Sequence, residues 1–158
     1  MIIKVLLIED DTTLRESTAE LLELANYKVI TAPDGEKGVL TAKAAHPDVI
    51  ICDIMMPKLD GYGVLKALSA DNNTKAIPFI FLTAKTEHKE VRLGMELGAD
   101  DYLTKPFKES ELVGAIESRI AKANILKESQ QNNTADTSGN DTQVKSIHQL
   151  KNFIDDNG

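Results

Sequence analysis

Three observations in this 158-residue chain predict an α/β fold in which helices cover both faces of a parallel sheet. Short apolar runs recur near residues 2–8, 28–32, 49–53, 77–82 and 101–103, and segments with helical spacing separate them. The main runs are too apolar to leave a face in water, and the connections are short, which suits parallel strands linked by crossover helices. Polar and charged residues gather just where the runs end. Ligands of such sheets bind outside the carboxyl ends of the strands, at the point where strand order reverses.

Taken in order, residues 2–8 are apolar except for Lys4 and lead directly into Glu9, Asp10 and Asp11. Thr12 and Thr13 are expected to cap the helix that follows, because a hydroxyl there can accept from a free amide of the first turn. Leu14, Thr18, Leu21, Leu22 and Ala25 form its buried stripe, and Asn26 ends it. Residues 28–32 make a short strand, Pro33-Asp34-Gly35 a turn, and Val39, Ala42 and Ala45 the inner face of a second helix that stops at His46-Pro47. The third strand, 49–53, ends on a carboxylate, Asp53, and a loop with Pro57 and Gly61 closes after it. Val64, Leu65 and Leu68 face inward on the next helix. Pro78 removes one ladder donor and so belongs at the entrance of the fourth strand, which ends in Thr83-Ala84. A helix from about Glu87 to Leu97 stops at Gly98, a strand near 101–103 runs into Thr104, Lys105, Pro106 and Phe107, and Leu112, Ala115, Ile116, Ile120 and Ala123 mark a longer last helix.

Residues 1–124 therefore form one domain. Residues 125–143 have linker composition, with Ala135 the one small apolar residue among 130–141, and are expected to be disordered or extended. Val144, Ile147, Leu150 and Ile154 restore helical spacing over 144–158, a segment too short to form a core and read as a docking element or the opening of a further, effector domain. A single cysteine, Cys52, excludes a disulfide scaffold and is read as inert core filling. Net charge of −7 and a pI near 5.0 oppose a general nucleic-acid or membrane-surface binder. No stretch approaches a membrane span, and the start lacks the layout of a signal peptide, so the expected compartment is the cytoplasm.

Four strand ends carry the residues with chemistry: Glu9 and Asp10, Asp53, Thr83, and Lys105. Three carboxylates brought together resist ionising unless a cation joins them. Magnesium suits that demand, since it takes oxygen ligands, keeps several waters and accepts one or two carboxylates plus phosphate oxygens. Asp10 and Asp53 are the expected direct ligands, Glu9 acts through water, and the main-chain carbonyl of Met55 completes the protein's share. Phosphoryl transfer needs in-line positioning and neutralisation of three equatorial oxygens more than it needs acid–base groups. The metal, Lys105 and the Thr83 hydroxyl meet that need, with Asp53 as nucleophile. His46, His88 and His148 show no ligand spacing.

Glu9-Asp10, Asp53 with Ile-Met-Met-Pro after it and Gly61, Thr83-Ala84, and Asp101-Tyr102-Leu103-Thr104-Lys105-Pro106-Phe107 together resemble the receiver domain of two-component response regulators. The resemblance covers about residues 1–124. It implies a three-layer flavodoxin-like (βα)5 fold with strand order 2-1-3-4-5, an order for which the CheY receiver is a standard example. It implies Mg²⁺ as cofactor, a sensor histidine kinase or phosphotransfer protein as phosphoryl donor, and Asp53 as the phosphorylated residue. Thr83 corresponds to the switch hydroxyl, Lys105 to the basic group, Tyr102 to the aromatic that changes rotamer, and the Lys105–Pro106 bond to a cis peptide. The surface of the fourth helix, fifth strand and fifth helix is then the expected output face. Its partner is a downstream protein, an effector domain or a second copy of the chain in a phosphorylation-dependent homodimer, with no direct nucleic-acid binding by residues 1–124. In the family the positions of Met55 and Lys85 influence how long the phosphoryl group survives.

Two other classes share parts of this pattern. A magnesium-dependent phosphohydrolase of the haloacid-dehalogenase kind needs a second acid two residues after the nucleophile, and here that residue is Met55. A flavin carrier needs an anion-friendly helix start after the first strand, and here three acids occupy it. The chain reads as a phosphoacceptor switch that catalyses only its own phosphorylation and dephosphorylation.

Overall fold

A computed structural model describes the backbone of residues 1–84 and 88–139, with side chains for 1–84 and 92–126. Elements follow in strict alternation: β1 (Lys4–Ile8), α1 (Thr12–Leu24), β2 (Lys28–Ala32), α2 (Gly35–Ala45), β3 (Val49–Asp53), α3 (Gly61–Ser69), β4 (Phe79–Ala84), α4 (His88–Glu96), β5 (Asp101–Lys105) and α5 (Glu109–Gly139). The five strands are parallel and ordered β2-β1-β3-β4-β5, as expected of a flavodoxin-like domain. Strand order reverses between β1 and β3, where Ile8 lies opposite Cys52, so Glu9 and Asp53 are the next residues out on neighbouring strands.

The period-2 alternation of strand side chains divides the core. Leu6, Ile8, Ile50, Cys52, Phe79 and Phe81 face α2 and α3, packing on Ala42, Val64, Leu65 and Leu68. Val5, Leu7, Val49, Ile51, Ile80 and Leu82 face the other way, toward Leu22 of α1 and Leu112, Ala115 and Ile116 of α5. All five residues of β3 are buried, so its last one, Asp53, is held without freedom to swing away.

Three helices begin on an aspartate. Asp11, Asp34 and Asp60 each accept from the amide three residues on, at 2.9, 2.8 and 2.9 Å, which satisfies a donor that the first turn would otherwise leave unpaired. The cap of α1 is thus Asp11, while Thr12, expected to cap, is the first helical residue. A carboxylate there has the added favour of the helix dipole, which a hydroxyl lacks. Asn26 and His46 end α1 and α2 with positive φ.

The loop after Asp53 is closed by Gly61, whose amide donates to the Ile54 carbonyl at 2.9 Å. A Cβ at Gly61 would lie 2.6 Å from the Asp53 carbonyl oxygen and 3.0 Å from the Phe81 ring. The opposite edge of that ring fills the Cβ space of Gly94 on α4, at 2.6 Å. Phe81 is fully buried and also meets Tyr62 and Phe79 edge to face, with centroids 5.5 and 5.0 Å apart.

Two compact units are distinguished, Met1–Ile120 and Ala121–Gly158, and the sheet belongs to the first. In the second, α5 runs on as helix to Gly139, through residues 125–139 that the composition reads as an extended linker. No proline occurs there and no glycine precedes Gly139, so a helix already nucleated meets no breaker. The amphipathic segment at 144–158, Lys85 and Glu87 lie outside the described residues.

Gly94→Ala is expected to lower unfolding free energy by about 1–3 kcal/mol through overpacking against Phe81. Gly114→Ala, in α5 with nothing within 4 Å of its Cβ position, is expected to be neutral or stabilising by about 0.5–1 kcal/mol. Urea melts of both variants check this, and equal midpoints would refute the close contact at Gly94.

Candidate functional site

At the carboxyl rim of the sheet, β1 delivers Glu9 and Asp10, β3 delivers Asp53, β4 delivers Thr83 and β5 delivers Lys105. Oxygens of Glu9, Asp10 and Asp53 all lie within 4.8 Å of one another. The Lys105 ammonium donates to Glu9 Oε1 at 3.0 Å and pairs with Asp53 Oδ1 at 3.1 Å, joining chain positions 96 residues apart. Glu9 and Asp53 are buried while Asp10 is exposed. The site is an acidic cup with an inner wall and an open side.

The Glu9 carboxylate also accepts from the Asp11 amide at 3.1 Å, and the Glu9 amide donates to the Ala32 carbonyl. Arg15 reaches back from α1 to donate from Nη1 to the Glu9 carbonyl at 2.8 Å and to the Asp10 carbonyl at 3.5 Å. Nothing in the sequence reading assigned Arg15 a part. Its signal was spacing alone: on a helix that starts at Thr12, the fourth residue lies close enough to fold over the acidic turn.

Thr83 is buried on β4, beside Thr104 of β5. Tyr102 on the edge strand β5 is 42 % exposed, next to Phe81 in register. Met55, two residues after Asp53, has a side chain 59 % exposed at the lip of the loop. Pro57 and Gly61 bound that loop, within which Lys58 adopts φ of 68°. The Lys105–Pro106 peptide is cis. Glu9, Asp10, Asp53, Thr83 and Lys105 therefore lie at the carboxyl end of the sheet, with Met55, Pro57, Gly61 and Pro106 in the loops leaving it. Tyr102 stands apart from the acidic cup, turned to the surface.

Electrostatics follow from this packing. Burial raises the Glu9 carboxyl to about 7 and the Asp53 charge adds to the rise, while the Asp11 amide and Lys105 oppose it. Asp53 is raised by burial and by Asp10, with Lys105 pulling against them. Burial disfavours the Lys105 ammonium, but hydrogen bonding to Glu9 and the Asp53 charge outweigh it and its pKa rises. Burial and the neighbouring carboxylates push the Cys52 thiol well up, so it is a poor nucleophile. One lysine does not neutralise three acids, and the all-oxygen donor set fits a hard divalent cation such as Mg²⁺.

The fold and site define an α/β protein with an acidic, cation-ready pocket at the switch point of a five-stranded parallel sheet. The chain belongs to the response regulator receiver domain family, whose pattern it matches over residues 5–117. It is 42 % identical over 123 residues to the probable transcriptional regulator ycf27 of Porphyridium aerugineum, covering 76 % of this chain and 50 % of that protein. It is 44 % identical over 130 residues to the transcriptional regulatory protein CpxR of Escherichia coli K12, covering 82 % and 54 %. The chain thus spans about half the length of the curated relatives it matches. Among solved structures, a response regulator from Chloroflexus aurantiacus superposes with a TM-score of 0.74 at 35 % identity, covering 77 % of this chain and 99 % of that one. The receiver domain of the sensor histidine kinase PA1611 from Pseudomonas aeruginosa superposes with a TM-score of 0.72 at 30 % identity, covering 77 % and 99 %, and holds a magnesium ion in its active-site cleft.

A carboxyl raised from 4.5 to about 7 on folding binds more protons in the native than in the unfolded state between those pH values. Its contribution to stability is favourable below about pH 4.5 and is lost as pH rises through about 7. Metal-free protein should therefore melt lower at pH 8 than at pH 5.5, and Glu9→Gln should remove part of that difference, by roughly 3 °C or more. Differential scanning calorimetry with chelator present tests it; identical pH profiles for the two proteins would refute the raised pKa.

Proposed function

We propose that this chain is a phosphoacceptor switch in which Asp53 receives a phosphoryl group from the phosphohistidine of a sensor histidine kinase or phosphotransfer protein. The observation that carries this reading is the convergence of Glu9, Asp10, Asp53 and Lys105 on one cup at the reversal of strand order. Asp10, Asp53 and the Met55 carbonyl are the groups that would hold Mg²⁺, with Glu9 acting through water. When bound, the ion supplies positive charge to the phosphate oxygens.

The chain's own residues do the rest. Asp53 Oδ attacks phosphorus in line, the new P–O bond forms as the P–N bond breaks, and the imidazole leaves with the electron pair. Lys105, already 3.1 Å from Asp53, stabilises an equatorial oxygen of the transferred group, and the Thr83 hydroxyl donates to another. Drawing Thr83 toward the phosphoryl group leaves space beside β5 into which Tyr102 turns.

Output then falls to the α4–β5–α5 face, to which β5 contributes the exposed Tyr102. Its partner is a downstream protein, an effector domain or a second copy of the chain. The transcriptional regulators among the relatives favour an effector that acts on DNA, with the described domain itself making no DNA contact. Among the described residues no helix is long and apolar enough to cross a membrane, in keeping with a cytoplasmic place of action. A phosphohydrolase turning over small esters is disfavoured by Met55, which cannot transfer a proton where such an enzyme needs an acid.

Incubation with acetyl phosphate and Mg²⁺ should add one phosphoryl group by intact mass, and Asp53→Asn should abolish it. Lys105→Ala should slow labelling roughly 10²-fold. Chelation should stop labelling and Mg²⁺ restore it. Labelling that persists in a folded Asp53→Asn protein would defeat the assignment.

A further inference from the structure

Asp10 is the one exposed member of the acidic cup, and among the described residues no hydrogen bond restrains its carboxylate. Its position therefore depends on the main chain around it. The Glu9 amide is tied to Ala32 at 3.1 Å, and the Asp11 amide to the Glu9 carboxylate at 3.1 Å. The peptide between Glu9 and Asp10 is tied by Arg15, whose Nη1 donates to the Glu9 carbonyl at 2.8 Å and reaches the Asp10 carbonyl at 3.5 Å.

We propose that Arg15 is a positioning residue: its guanidinium holds the peptide that carries Asp10 and so sets where that carboxylate stands relative to Asp53. The inference rests on the reading of the cup as a Mg²⁺ site. Arg15 touches neither the ion nor the phosphoryl group; it orients a ligand, as outer-shell partners of metal sites do. Both contacts come from one nitrogen, Nη1, so reach matters: a lysine ammonium can donate to both carbonyls but sits on a shorter stem and is expected to hold them less closely. The charge on Arg15 also sits at the end of the turn that concentrates Glu9, Asp10 and Asp11. Its loss would leave that turn with less order and with more uncompensated negative charge, which by itself draws a cation in, so weaker Mg²⁺ binding reports the lost order.

Two measurements on the full chain test this, one independent of metal. In the metal-free protein, ¹⁵N relaxation at the Asp10 and Asp11 amides should show greater mobility in Arg15→Gln than in the parent. Isothermal titration with Mg²⁺ should show affinity about 10-fold weaker in Arg15→Gln, persisting at 0.5 M salt, and partly restored in Arg15→Lys. Circular dichroism confirms that both variants fold, and Arg15→Lys alone suffices should Arg15→Gln unfold, because it too should bind Mg²⁺ more weakly than the parent. Unchanged amide mobility, or Mg²⁺ affinity within twofold of the parent, would overturn the proposal. Tighter Mg²⁺ binding in Arg15→Gln that fades at 0.5 M salt would also overturn it, since that would make Arg15 a distant like charge to the cation and not a positioner. A parent protein that binds no Mg²⁺ would instead overturn the reading of the cup, while the relaxation data would still decide whether Arg15 orders the turn.

Discussion

Like charges forced together are the constraint on which the rest of the structure turns. The parallel sheet sets Glu9 and Asp53 on adjacent strands at the point where order reverses, and the strands are too well buried to move apart. Lys105 enters between them as a partial counterweight, held by two ion pairs of about equal length. Burial first, and a neighbouring acid after it, raises the pKa of both carboxyls against the pull of Lys105. A group poised this way gains from any ligand that brings positive charge. Stability sacrificed at the rim is supplied by the two apolar layers beneath it, where the strand side chains alternate between α2/α3 and α1/α5.

Much of this was legible in the sequence because its signals were local. β1, β3 and β4 are short, largely apolar runs, and the inward stripe of α3, Val64, Leu65 and Leu68, is buried as the spacing requires. The site was legible because a parallel sheet places every strand's last residue on one rim. Motifs scattered over nearly a hundred positions thereby reduce to one address. The partial redundancy of capping residues explains one slip: Asp11, Thr12 and Thr13 all suit a helix start, and only the geometry shows the first of them doing it.

What the sequence concealed was the set of contacts made at a distance or against composition. Arg15 looked like an ordinary polar helix residue because its partners are carbonyls, which carry no sequence signature. The helical course of residues 125–139 went unread because polar composition argues for solvation while absence of breakers allows propagation, and composition alone does not weigh one against the other. The direction in which Tyr102 faces, outward and apart from the cup, was equally invisible, since an edge strand offers both choices.

The Phe81 ring gives the domain something resembling a bearing. One edge rests where Gly61 has no side chain, at the end of the loop that leaves Asp53, and the other where Gly94 has none, on α4. Protein interiors are packed to crystal-like density and have little room for compression. A contact with backbone on both sides of a single rigid ring therefore has no slack, and the start of α3 and the body of α4 share one boundary. Tolerances at that boundary are set by two missing methyl groups, so a side chain added at either glycine would press through the ring toward the backbone at the other.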